Sequence, residues 1–194
     1  MKNSLLAAAL LAVPALAAAT AASAAEGISY NQVQAGYIAT NGDGNADADG
    51  WAIDGSVAVH PNFHLFGGFN RQEIDDTSID VDQWRAGVGY NHEVSPRTDL
   101  LTRVAYEKFD AGDGLDFDGW SVEAGARAAL TQSLEGYALA GYENYDSDGL
   151  LEDDSNFYGR LGAHWKFNQN WGLSGDVKFS DGNTQWFVGP RLTW

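Results

Sequence analysis

Residues 51–69 read WAIDGSVAVHPNFHLFGGF, and the stretch alternates in steps of two on both sides of a short turn. Trp51, Ile53, Gly55, Val57 and Val59 share one phase, and Ala52, Asp54, Ser56 and Ala58 share the other. Beyond His60-Pro61-Asn62, Phe63, Leu65, Gly67 and Phe69 oppose His64, Phe66, Gly68 and Asn70. A period of two with one apolar face marks a β-strand, and two such runs around a tight turn make a hairpin.

The pattern recurs along the chain. Trp84, Ala86, Val88 and Tyr90 oppose Arg85, Gly87, Gly89 and Asn91, and Trp120, Val122, Ala124 and Ala126 oppose Ser121, Glu123, Gly125 and Arg127. Phe157, Leu161, Ala163 and Trp165 oppose Tyr158, Arg160, His164 and Lys166. Near the end, Trp171, Leu173, Val177 and Phe179 form one apolar phase, and Trp186, Val188, Leu192 and Trp194 form another. Two segments are less regular. Leu134 to Tyr145 admits either phase, and Ile28 and Tyr30 are out of step with Val33, Ala35 and Tyr37.

Connections are of two kinds. Short turns end at Asn62, Arg97, Ser133 and Asn170, spaced by 35, 36 and 37 residues, which is an internal repeat. Between them lie mostly longer Asp/Gly-rich links at Asn41–Asp49, Ile74–Asp80, Asp110–Phe117 and Asp146–Ser155, with a short fifth at Asp181–Asn183. Short turns alternating with longer polar loops are the pattern of a bacterial outer-membrane barrel. Lipid offers the backbone no hydrogen-bond partners, so a sheet there must close on itself, with strands of ~9–11 residues. The expected fold is all-β, a closed antiparallel transmembrane β-barrel of ten strands, with eight as the alternative. A soluble lipocalin-like barrel would turn the apolar phase inward; the loop asymmetry, the aromatic placement and export favour lipid.

Export is read from the N-terminus. Lys2 precedes an apolar run from Leu5 to Ala19, and Ala22-Ser23-Ala24 fits a small-residue cleavage site. Residues 1–24 are expected to be a signal peptide and 25–194 the barrel domain. Removing Lys2 with that leader moves the formal charge of the chain from -16 to -17. So acidic a protein lacks the basic face that tracking nucleic-acid phosphates requires. With no cysteine, it has neither disulfides nor thiolate metal ligands.

Aromatic residues set the expected depth. Trp51, Trp84, Trp120, Phe157 and Trp186 follow long loops on the apolar phase, and Phe63, Tyr90, Trp165 and Trp171 sit on the same phase near short turns. They read as two interfacial girdles. The C-terminal Gly189, Leu192 and Trp194 match a glycine, apolar, terminal-aromatic pattern resembling the sorting signal read by the barrel-assembly machinery.

The other phase must fill the lumen. It carries Arg85, Arg103, Arg127, Arg160, Lys166, Lys178 and Arg191 against Asp54, Glu107, Glu123, Glu143 and Asp176. The Glu143 placement rests on aligning Tyr142-Glu143 with Tyr106-Glu107 one repeat earlier. Interleaved charges in a narrow barrel read as an ion-paired plug in which Glu123 or Glu107 serves Arg127, and a narrow ion-conducting porin-like channel is the alternative. Arg71 and Lys108 share the outward phase beside the acidic loops, placed to meet lipopolysaccharide phosphates, with divalent cations bridging the acidic rim to that lipid. The loop Asp43–Gly50 spaces oxygen ligands like a calcium loop, but Ser56 stands where the bidentate Glu belongs, so no metal site is expected. No cofactor or catalytic set is expected either. His60, His64, His92 and His164 all lie toward the short-turn rim, away from the loops where barrel enzymes work.

Five stretches carry a family resemblance: Ala25–Tyr30 (AEGISY), Gly55–Phe69, Trp84–Glu93 (WRAGVGYNHE), Arg103–Gly112 (RVAYEKFDAG) and Asp176–Arg191. They resemble a xanthomonad outer-membrane protein family once proposed as an activator of rice innate immunity and a quorum factor. The resemblance implies a barrel linked to motility, biofilm and virulence, with a contested signalling role, and supplies no catalytic or ligand residues. It leaves three readings: a structural and surface-interaction barrel, a small channel, or a precursor that releases an N-terminal signal fragment.

Overall fold

The structure, a computed structural model, describes residues 24–42, 47–75, 77, 79–112, 116–147 and 154–194, without the side chains of Asp146, Ser147 and Asp154. The first 23 residues of the expected leader, and Asp43 to Ala46 of the calcium-like loop, lie outside the described residues.

Ten antiparallel strands close into one barrel. They are β1 Gln32–Gly42, β2 Ala48–His60, β3 Phe63–Ile74, β4 Asp80–Ser95, β5 Thr98–Asp110, β6 Asp116–Ala129, β7 Leu134–Ser147, β8 Asp154–Lys166, β9 Trp171–Ser180 and β10 Asn183–Thr193. Each strand pairs with its sequence neighbours, and β1 pairs with β10, from Gln32 opposite Thr193 to Gly42 opposite Asn183. Ten strands, rather than eight, follow from the repeat near 36 residues. The long links are shorter than the sequence pattern implies, because strand pairing continues past the apolar band; Phe117, for example, still pairs with Phe109.

The closing seam has a gap. Pairing between β1 and β10 holds at Gln34–Arg191 and resumes at Tyr37–Val188, skipping the positions of Pro190 and Gly189. Pro190 has no amide hydrogen to give the ladder. Side chains at the gap would also collide, since a Cβ on Gly36 would lie 2.1 Å from the Val188 carbonyl oxygen.

The apolar phase faces outward. Trp51, Trp84, Trp120, Trp186, Phe63, Tyr90, Trp165 and Trp171 are all exposed, and Phe157 reaches 80% exposure. They touch as bands: Phe69 bridges Trp51 and Trp84 at 5.2 and 4.4 Å, and Tyr142 bridges Trp120 and Phe157 at 5.6 and 5.1 Å. A water-soluble core would bury these rings; here the polar groups are buried, which is the inverted arrangement of a lipid-embedded barrel.

The charged lumen and its capped mouth

The lumen is built by register. Arg85 stands across the ladder from Glu107, and Arg103 stands across from Glu123. Glu123, 1% exposed, is the centre of the network. Its Oε2 lies 2.5 Å from Arg103 Nη2, a charge contact rather than an aligned hydrogen bond, and 3.3 Å from Arg85 Nη2. Its Oε1 accepts from Tyr158 Oη at 2.9 Å and lies 3.6 Å from Arg160 Nη1. Three guanidiniums on one carboxylate are tolerable because two of them have a second acid and the third, Arg103, lies 5.3 Å over the Phe66 ring. Arg85 Nε also meets Glu107 at 3.3 Å, and Arg160 Nε donates to Asp176 at 2.8 Å.

Toward the long loops, Glu107 accepts from Ser121 Oγ at 2.6 Å and Gln83 Nε2 at 2.9 Å. Lys178 Nζ meets Glu143 at 2.5 Å, and Tyr145 Oη donates to the same carboxylate at 2.9 Å. Glu143 therefore lies inside, as its repeat partner Glu107 does. Tyr137 Oη donates to Asp176. These tyrosines need room: a Cβ on Gly141 would lie 2.2 Å from the Tyr158 ring, and one on Gly162 would meet Tyr137 equally closely, at 2.2 Å. Among the described residues, Arg191 and Asp54 form no ion pair with an opposite charge. Gln34 stands between them, accepting from Arg191 Nη2 at 2.6 Å and donating to Asp54 at 3.5 Å.

The partner expected for Arg127 is corrected. Neither Glu123 nor Glu107 serves it; Arg127 Nη2 donates to Glu135 Oε2 at 2.6 Å. Glu135 also receives Lys166 Nζ at 2.6 Å, with His164 Nδ1 at 3.8 Å. The sequence pattern missed Glu135 because its segment could be phased either way. It also missed Asp99, an acid beside a tight turn that reads as solvated. With these two, the lumen acids named here equal the lumen bases, so the excess of cations expected from sequence is removed.

A second departure lies at the short-turn end. Residues 25–31 cap this mouth before β1 begins. Ala25, Ile28 and Tyr30 are buried with Ala58, Leu101, Ala129 and Leu139. Tyr30 stacks on His64 at 4.4 Å, and the Arg127 guanidinium sits 5.0 Å over its ring. Backbone bonds fasten the segment: Glu26 N–H to Pro96 O at 2.7 Å, Ala58 N–H to Asn31 Oδ1 at 2.8 Å and Trp194 N–H to Asn31 O at 3.2 Å. Lys166 donates to the Gly27 carbonyl, where Gly27 takes a φ of 84° to make the turn. The out-of-phase Ile28 and Tyr30 were the sequence signal of this cap.

The remaining expected site residues are placed as follows. Leu192, Gly189 and half-buried Trp194 lie in or just beyond β10, where Trp194 joins the capping segment. Arg71 and Lys108 point outward, but neither is free: Arg71 pairs with Asp82, and Lys108 Nζ lies 3.7 Å from Asp116. His64 and His164 are buried in the lumen, whereas His60 and His92 are exposed at the short-turn rim.

A closed barrel with an apolar outer belt and a charged interior defines a small transmembrane β-barrel. The sequence profile of the outer membrane protein beta-barrel domain matches residues 6–142, more than half of the chain, and the chain belongs to that family. It is an outer-membrane protein of a Gram-negative bacterium, and barrels of this class carry their short turns at the periplasmic end. No curated protein matches it in sequence. Among solved structures, it is similar to the translocator domain of the autotransporter NalP from Neisseria meningitidis, at 11% identity over 99% of this chain and 98% of that one, TM-score 0.49. It is also similar to OmpTdeltaL8 of Vibrio cholerae, at 12% identity over 84% of this chain, TM-score 0.42, and spans 62% of that protein's length. A third is Ail of Yersinia pestis, at 16% identity over 84% and 99% of the two chains, TM-score 0.38.

Proposed function

We propose that this barrel is a structural and surface-interaction element of the outer membrane rather than a diffusion pore. The observation that carries the reading is Glu123, closed off inside the lumen by Arg85, Arg103, Arg160 and Tyr158. Ions crossing the lumen would have to displace that cluster of buried, paired charges. The cap over the periplasmic mouth adds a second obstruction. The finer role follows the xanthomonad resemblance: support of biofilm, motility and virulence, with contested quorum signalling. Its partners in this reading are outer-membrane lipid and lipopolysaccharide, in part through divalent cations, and the barrel-assembly machinery during biogenesis. Release of an N-terminal signal fragment fits poorly with the burial of Ala25, Ile28 and Tyr30.

The second reading, a narrow ion-conducting channel, draws on two polar cavities of about 70 and 50 Å³ in the lumen, both lined by Arg85 and Arg160. Planar-bilayer recording separates the two. A closed barrel gives no steady conductance above the lipid baseline, and the Glu123→Gln protein, with its three guanidiniums released, gives measurable anion-selective openings. Steady conductance from the unmodified protein would overturn the structural reading.

A further inference from the structure

Asp99 is the acid that the lumen network leaves over. It is 0% exposed. Among the described residues no Lys, Arg or His side chain forms an ion pair with it, and the register partner directly opposite, Arg127, is engaged by Glu135. Two groups hold its carboxylate instead: Tyr30 Oη donates to Oδ2 at 3.0 Å, and the backbone nitrogen of Ala25 donates to Oδ1 at 3.1 Å. Ala25 is itself only 1% exposed, and its methyl group packs in the apolar cluster with Ile28 and Leu101. A buried carboxylate held by two neutral donors lacks its counter-charge, and burying a charge without one is costly.

The same nitrogen is the one that cleavage at Ala22-Ser23-Ala24 would free. We propose that the Asp99 carboxylate is a socket for the α-ammonium group of Ala25, created by hydrolysis of the Ala24–Ala25 bond, so that processing locks the capping segment into the barrel mouth. One water is consumed in the hydrolysis: its hydroxyl adds to the Ala24 carbonyl carbon, which departs as a carboxylate, and the Ala25 nitrogen leaves as an amine and takes up protons to become an ammonium. The neutral amide donor at 3.1 Å becomes a cation at the same place, and a charge-assisted bond to a carboxylate is about twice as strong as a neutral one. In the unprocessed chain Asp99 has only the neutral amide at this place, so cleavage adds charge to a contact that is already seated. Trp194 is tied to the same segment through Asn31, which places the processed terminus and the final strand of the barrel in one fastening.

The test uses protein purified from outer membranes. Mass spectrometry of its N-terminal peptide is expected to show a chain beginning at Ala25. Acylation of that α-amine at neutral pH is expected to be roughly tenfold or more slower in the folded protein than in the urea-unfolded chain, because the Asp99 carboxylate holds the amine protonated and the packed cap keeps the reagent out. Asp99→Asn should remove most of that protection while the protein still migrates as a folded barrel. If Asp99→Asn does not fold, a second comparison decides: chains refolded from Ala25 onward against chains that keep residues 21–24. The free-terminus chain should withstand the higher temperature. A mature terminus at another residue, equal labelling in folded and unfolded protein, or equal thermal resistance of the two refolded chains would overturn the proposal.

Discussion

Arg127 stands directly across the β5–β6 ladder from Asp99, yet its guanidinium turns to Glu135 on β7, 2.6 Å away. The choice has consequences on both sides: Asp99 is left to the capping segment, and Glu135 gains a second cation beyond Lys166. Arg127→Ala should therefore destabilise the barrel by about 3 kcal/mol, the low end for a broken buried pair, because Lys166 remains on Glu135. The loss should shrink in the Glu135→Gln background, since contacting residues are not additive. Urea unfolding in detergent measures both; equal losses in the two backgrounds would mean that the pair is uncoupled.

Glu123 should be the most sensitive single charge. Glu123→Gln keeps the shape but leaves Arg85, Arg103 and Arg160 facing one another, and about 3–5 kcal/mol is expected from unpairing buried charges. Glu107→Gln should lose less, because Glu107 is held mainly by Ser121, Gln83 and one guanidinium. The order of the two midpoints is the measurement; the reverse order would place the electrostatic centre elsewhere.

How much of this was written in the sequence differs along the chain. β4 and β6 carry tryptophan on one phase and arginine or glutamate on the other, so strand and facing were readable, while the register comes from the closed ladder. β7 was not, because Ala138 and Ala140 on one phase and Leu139 and Gly141 on the other offer no contrast. Its facing is set by the closed ladder, which places Tyr137 opposite Arg127 and Glu135 opposite His164. Asp99 illustrates a different limit. It lies two residues past its turn, as His64 and Glu135 do past theirs, so the repeat places all three on one inward ring. An acid beside a tight turn is ordinarily solvated, and only the folded-back N-terminal segment, a contact across 74 residues, shields this one.

The small residues opposite the lumen tyrosines should be intolerant of growth. A Cβ at position 141 would meet the Tyr158 ring at 2.2, 2.5 and 2.7 Å, pushing its hydroxyl from Glu123. Gly141→Ala should cost about 1–3 kcal/mol, as overpacking does. In a Tyr158→Ser background the same change should cost little, since the obstructing ring is gone. Comparing thermal midpoints of the four proteins checks this, and a full cost in the serine background would put the strain in the backbone instead.

At the outer rim, Arg71 and Lys108 are paired with Asp82 and Asp116 in exposed positions, where ion pairs are worth roughly 0–1 kcal/mol. In plain detergent, the Arg71→Ala/Lys108→Ala protein should therefore match the unmodified one within about 2 kcal/mol, the upper bound for two exposed pairs. In lipopolysaccharide the two cations are expected to exchange these weak pairs for lipid phosphates, while divalent cations bridge the surrounding acids. Chelation should then lower thermal stability, and more so in the double variant. Identical stability with and without chelator for both proteins would leave the rim as a solvated surface.

The final prediction concerns Trp194, which has two separable roles. As the terminal aromatic of β10 it completes the expected assembly signal with Gly189 and Leu192; as a structural residue it donates its backbone N–H to Asn31 O and accepts at its own carbonyl from Ser29 Oγ at 3.2 Å. Both structural bonds use backbone atoms, so a side-chain substitution leaves them in place. Trp194→Phe should keep the outer-membrane level of folded, heat-modifiable protein near normal, because the aromatic is retained. Trp194→Ser should lower that level severalfold while refolding in detergent, where no assembly machinery acts, proceeds at an unchanged yield. If the serine protein instead refolds poorly in detergent to the same extent, the residue matters through packing at the seam. If it reaches the membrane at normal levels, the terminal aromatic is not what the assembly machinery reads.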